Sequence, residues 1–140
     1  MGGHGALTIG LRNPEIFKSI SAFAPIVNPI NCSWGEKALG LYLGEDKSSW
    51  RQYDACALIE DGARPNALLI DQGLADNFLQ EQLMPKRLDA QCNGTDIDLI
   101  IRQHAGYDHG YGFISTFMGC LLYTSPSPRD LSTSRMPSFA

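Results

Sequence analysis

Three short apolar runs, each closed by turn residues, set the strongest limit on how this chain can fold. Residues 19–24 (Ser-Ile-Ser-Ala-Phe-Ala) stop at Pro25, residues 67–70 run into Asp71-Gln72-Gly73, and residues 98–103 run into a glycine-rich stretch at 104–112. Runs this short, with little polar alternation, suit strands buried on both faces. The segments between them are longer and carry apolar residues at helical spacing. Strand, helix and strand in turn give βαβ units, hence a parallel sheet flanked by helices.

The intervening helices have readable ends. Residues 2–12 form a helix stopped by Asn13-Pro14, because the residue before proline resists the α region. Residues 25–34 read as a loop, and 35–43 as a short helix ending near Gly44. Residues 50–59 read as another, with Asp54 as an internal cap. In 77–93, apolar residues at 78, 79, 83, 84, 88 and 90 form a stripe broken near Pro85, with Gly94 as the C-cap. A last helix covers 113–118. From Gly119 the chain turns rich in Ser and Pro without either period, which predicts disorder. This stretch also resembles translated sequencing-adapter sequence. The domain is therefore expected to span 1–118, with 119–140 a non-native or disordered tail.

A net charge of −4 over 140 residues, with no basic stripe, argues against a nucleic-acid partner. No segment approaches the roughly 18 uninterrupted apolar residues of a membrane span. No secretory signal opens the chain. Cys32, Cys56, Cys92 and Cys120 are widely spaced without a C-x-x-C pair, so zinc and redox motifs lack support. Reduced, mostly buried thiols in a cytoplasmic protein are expected. Asn31-Cys32-Ser33 and Asn93-Gly94-Thr95 match the glycosylation triplet, which is common by chance.

Three pieces carry chemistry. Met1-Gly2-Gly3-His4-Gly5 fits the far side of a strained strand-to-helix turn, the last two positions of a Gly-x-Ser-x-Gly elbow. The serine itself would stand immediately before Met1. A glycine-rich helix start could instead cradle a phosphate, but the P-loop lysine is missing. Gly3 and Gly5 would keep that helix slim against the sheet. Asp76 falls on the loop after the second strand, at the sheet edge where open α/β sheets build sites. Asp71, at the strand end, is the rival acid, and position alone leaves the two close to even. His109 lies on a loop with Gly106, Gly110 and Gly112. His104, directly after the third strand, is expected to pack or to face solvent. Tyr107 and Asp108 are expected to fix the loop. A metal set of His104, Asp108 and His109 fits no ligand spacing. Nucleophile, acid and histidine in that chain order belong to the α/β-hydrolase fold, of which this would be the C-terminal half, without the N-terminal strands.

The segments Met-Gly-Gly-His-Gly-Ala-Leu, Ser-Ala-Phe-Ala-Pro-Ile, Trp-Gly-Glu-Lys-Ala, Trp-Arg-Gln-Tyr-Asp-Ala, Ile-Asp-Gln-Gly-Leu-Ala-Asp-Asn-Phe-Leu and Gly-Tyr-Asp-His closely resemble the S-formylglutathione hydrolase (esterase D) family, from Met1 to about Met118. The resemblance implies a cytoplasmic enzyme that needs no cofactor and cleaves S-formylglutathione to formate and glutathione in formaldehyde removal. Family members also cleave simple esters and are often dimeric. The resemblance makes Asp76 the triad acid, His109 the base, the Met1 backbone N–H an oxyanion donor and Trp34 a contact near the site entrance. Without its serine the segment would be inactive. The family usually continues Ser-Tyr-Tyr-Phe after the histidine, whereas here Gly110-Tyr111-Gly112-Phe113 follows His109. Each glycine would weaken a helix start by roughly 0.5–1 kcal/mol. Another esterase of the same fold, or a non-catalytic module built on it, are the alternatives.

Overall fold

Residues 1–124 are described, by a computed structural model in which three parallel strands stand in the order β1-β2-β3. The strands are β1 (Ile20–Phe23), β2 (Ala67–Gly73) and β3 (Asp98–His104). The helices are α1 (Gly2–Arg12), α2 (Ser33–Leu43), α3 (Ala55–Glu60), α4 (Pro85–Cys92) and α5 (Tyr111–Thr124). The expected parallel sheet with flanking helices is what forms.

Strand alternation assigns the two faces. Ile20 and Ala22 of β1 and Leu68 and Ile70 of β2 point to one side. There they meet Leu7 and Leu11 of α1, Ala55, Cys56 and Ile59 of α3, and Leu88 and Cys92 of α4. Leu7, Ile70 and Leu88 are fully buried, each contributing roughly 1.5–3 kcal/mol. On the other face α5 packs at the C-terminal ends of the strands, where Phe113 meets Phe23 edge-on at 5.5 Å, while Ile100 further back on β3 stays 51% exposed. Helix α1 lies close on β1. A Cβ at Gly3 would sit 2.6 Å from the Phe23 carbonyl oxygen, and one at Gly10 would meet the Ile20 side chain at 2.5 Å. Gly5 faces open space, so Gly10 and not Gly5 shares the slimming role with Gly3.

Several boundaries move for physical reasons. β2 runs three residues past Ile70, since residues 71–73 pair with 102–104 of β3 and the ladder outweighs their turn preference. The helix expected over 50–59 splits at Asp54, a fully buried carboxylate. Its Oδ1 accepts from Ala57 N (2.9 Å) to cap α3, and its Oδ2 accepts from Asn28 Nδ2 (2.8 Å) and Ile30 N (3.1 Å). In 77–93 the break is at Met84 (φ 47°), and Pro85 opens α4 at the position proline tolerates. Asn93 caps α4, and Gly94 follows with φ 81°. α5 starts two residues early and continues past Gly119 to Thr124. Phe113, Phe117 and Leu121 recur every fourth residue and turn inward. The part of the tail reading that concerns 125–140 lies outside the described residues. Among the described residues no helix is long and apolar enough to cross a membrane.

Candidate active site

Asp76 stands three residues beyond β2, on a loop tied to the end of β3. Leu74 N donates to the His104 carbonyl (2.9 Å) and Ala75 N to the Tyr107 carbonyl (2.9 Å). Gly73 makes that approach feasible, because a Cβ there would run into the Tyr107 carbonyl. The Asp76 side chain is buried and fully engaged. Oδ1 accepts from Phe78 N at 2.8 Å. Oδ2 is shared by His109 Nδ1 at 2.7 Å and Gln72 Nε2 at 3.3 Å.

Gln72 is fully buried on the core-facing side of β2, in line with Leu68 and Ile70. Its Nε2 also donates to the Gly73 carbonyl at 3.0 Å. Both neighbours are acceptors, so only the NH₂ end can face them. The Oε1 at the other end has no partner among the described residues. An orphaned buried acceptor costs about 1–3 kcal/mol, and such a group calls for an explanation.

His109 is the accessible member of the site, its side chain 40% exposed against 0% for Asp76. Donation from Nδ1 to the carboxylate leaves Nε2 with its lone pair. Nε2 makes no hydrogen bond among the described residues. Phe78 meets the imidazole edge-on at 5.6 Å. The loop is held by Asp108, whose Oδ1 accepts from Gly110 N at 2.8 Å. Tyr107 packs edge-on to Phe117 at 4.9 Å, so both residues do brace the loop. α5 begins at Tyr111, which puts Gly112 inside its first turn despite the expected cost.

Met1 caps the N-terminus of α1 and lines the same cleft as His109, about 620 Å³, with Gly2, Ser21 and Tyr111. The start of α1 and the imidazole therefore face one space. Trp34 packs at a tilt against Phe78, ring centroids 4.5 Å apart, so it reaches His109 through an intervening ring. Gln82 fixes it there, with Oε1 accepting from Trp34 N at 3.1 Å and Nε2 donating to Ser33 Oγ at 2.9 Å.

Asp71 is engaged elsewhere. Strand alternation turns it to the α5 face, where its Oδ1 accepts from Arg102 Nε (2.7 Å) and its Oδ2 from Arg102 Nη2 (2.6 Å). His104 Nε2 meets Oδ1 at 2.7 Å. Hydrogen bonding to Asp71 raises the Arg102 pKa further. The His104 ring stacks on Phe117 at 3.7 Å, so of the two roles expected of it, packing or facing solvent, it takes the first. The two histidines thus bind different carboxylates, and no group of three metal-ligating side chains forms among the described residues. Sequence reasoning missed Gln72, Phe78 and Gln82. Only Gln72 left a signal: a long polar side chain in register with the core-facing residues of β2.

Cys32, Cys56 and Cys92 are buried free thiols, and Cys120 is exposed. Burial pushes Cys56 up to about 12 and Cys92 up to about 11.

The profile of the Esterase family matches residues 1–123. An S-formylglutathione hydrolase of Arabidopsis thaliana is 53% identical over 119 residues, which cover 84% of this chain and 42% of the relative. The solved S-formylglutathione hydrolase of Agrobacterium tumefaciens superposes with a TM-score of 0.85 at 58% identity, over 87% of this chain and 44% of that one. The S-formylglutathione hydrolase FrmB of Staphylococcus aureus shares the fold at 18% identity and a TM-score of 0.63, over 88% of this chain and 50% of that one. The chain spans less than half the length of the first two relatives.

Proposed function

We propose a thioesterase role for this chain, which belongs to the Esterase family: it supplies the acid and the base of a serine hydrolase acting on S-formylglutathione. The observation that carries the reading is the Asp76–His109 pair, with Nε2 open beside a cleft shared with the start of α1. The two relatives above half identity, both named for that activity, support the choice of substrate.

The nucleophile is the serine expected immediately before Met1. His109 Nε2 takes the hydroxyl proton as the oxygen attacks the formyl carbon. The C=O π bond opens to an oxyanion, which accepts from the Met1 backbone N–H. Such a donor is worth about 3 kcal/mol in the transition state. Collapse of the intermediate breaks the C–S bond as His109 gives its proton to the sulfur, so glutathione leaves as the thiol and a formyl-serine ester remains. Water then gives its proton to His109 and attacks that ester. Formate leaves, and the serine oxygen recovers its proton from His109. Asp76 keeps Nδ1 protonated throughout and stabilises the imidazolium. Phe78 packs edge-on against the imidazole, and Trp34 packs against Phe78. The same reading carries a cytoplasmic location and a homodimer, to be checked by fractionation and by sedimentation.

The test is hydrolysis of S-formylglutathione, with feruloyl esters for comparison, by the protein expressed from its complete coding sequence. Formate release abolished by substitution of the serine supports the reading. Preference for feruloyl esters, or a residue other than serine before Met1, would overturn it.

A further inference from the structure

We propose that Gln72 is a positioning residue for the acid–base pair: its side-chain amide holds the same Asp76 oxygen that His109 binds. The inference rests on the roles given to Asp76 and His109 above and extends them by one residue.

Three observations converge. Gln72 occupies a core-facing position of β2 where its neighbours in register are Leu68 and Ile70, so packing alone favours an aliphatic residue. Its amide can adopt one orientation, because Asp76 Oδ2 and the Gly73 carbonyl both require a donor. That orientation leaves Oε1 without a partner among the described residues. The arrangement therefore serves Asp76 rather than the hydrogen bonding of Gln72 itself. The amide is neutral, so it fixes the carboxylate without cancelling the charge that His109 needs. It is also carried by β2, where Gln72 is paired with Gln103 of β3 one residue past the last β1 pair at Asp71, and a strand position holds it more rigidly than the loop bearing Asp76 could.

Other ionisable groups flank the pair. Asp108 lies on the histidine loop, Tyr111 of α5 and Met1 of α1 line the cleft, and Asp71, Arg102 and His104 pair with one another at the adjoining strand ends.

The experiment uses the complete protein. In the wild type, the side-chain amide signals of Gln72 are followed by NMR as His109 titrates, and they should move with it. Gln72→Leu should lower kcat about tenfold with KM within about twofold, since a hydrogen bond to a charged group is lost. Gln72→Glu should move the acid limb of the kcat/KM profile to higher pH, because a second carboxyl would face Asp76. A merely structural Gln72 would lower the melting temperature in both variants and leave kcat and the pH profile in place, and that result overturns the proposal. Should neither variant fold, stationary Gln72 signals across the wild-type titration overturn it equally, and moving ones support it. A wild-type protein without thioesterase activity would sink the substrate reading, while the amide signals would still report on the Gln72 link.

Discussion

Two aspartate–histidine pairs stand at neighbouring strand ends, each with a 2.7 Å contact and partners 33 residues apart in sequence. They differ in what else the carboxylate holds. Asp71 carries a bidentate Arg102, so its charge is spent before His104 arrives. Asp76 carries a backbone N–H and a neutral amide, so its charge is left for His109. They also differ in access: the His104 side chain is 15% exposed and stacked on Phe117, whereas the His109 side chain is 40% exposed and its Nε2 makes no hydrogen bond among the described residues. A pair that moves protons needs a reachable nitrogen and an uncommitted counter-charge. A pair that fastens two strands and a helix needs neither.

The largest effect should come from Asp76→Asn. An amide there reverses the tautomer of His109, and on the proposed reading kcat of the complete protein for S-formylglutathione should fall about 10⁴-fold. It should also lose about 1–3 kcal/mol of stability, because the new NH₂ faces the Gln72 amide donor. A greater loss from Asp71→Asn would exchange the roles of the two pairs. That second substitution should act on stability instead. It leaves Arg102 partly buried beside a neutral group, at a cost of about 3 kcal/mol read by urea denaturation. Gly73→Ala should disturb both pairs at once, since the methyl meets the Tyr107 carbonyl between the two loops. About 1–3 kcal/mol of stability should go, with kcat falling alongside; an unchanged kcat would show that the histidine loop adjusts on its own. The smallest effect concerns the thiols. At pH 8, alkylation should reach Cys120, beside Arg102, and spare Cys56 and Cys92 until the chain unfolds. Burial favours the neutral thiol of Cys56, so its contribution to stability is complete below the ordinary value of 9.0 and is lost as pH rises towards about 12. Rapid labelling of native Cys56 would contradict this.

Much of this was legible in order and spacing. The three strand cores, the parallel arrangement and the placing of Asp76 and His109 on loops at one sheet edge came from apolar runs and turn residues. The competition between Asp71 and Asp76 was visible but not decidable, because the deciding partner, Arg102, is 31 residues away in the chain. Asp54 looked like a cap inside a helix and proved to be the joint between two segments, since Asn28 and Ile30 reach it from a loop that sequence reading left featureless. The end of α5 was misplaced because the Ser- and Pro-rich composition of the stretch from Gly119 outweighed the four-residue recurrence that carries Phe113 and Phe117 on to Leu121.

The sequence by itself determined the alternation of buried strands and helices and the order of the chemical groups along them, because both follow from local periodicity and turn preference. Only the tertiary structure decided which aspartate serves which histidine. The ladder between β2 and β3 fixes Asp71 opposite Arg102 and turns Gln72 to the opposite face, and register between strands is a property of paired chains that no single segment carries.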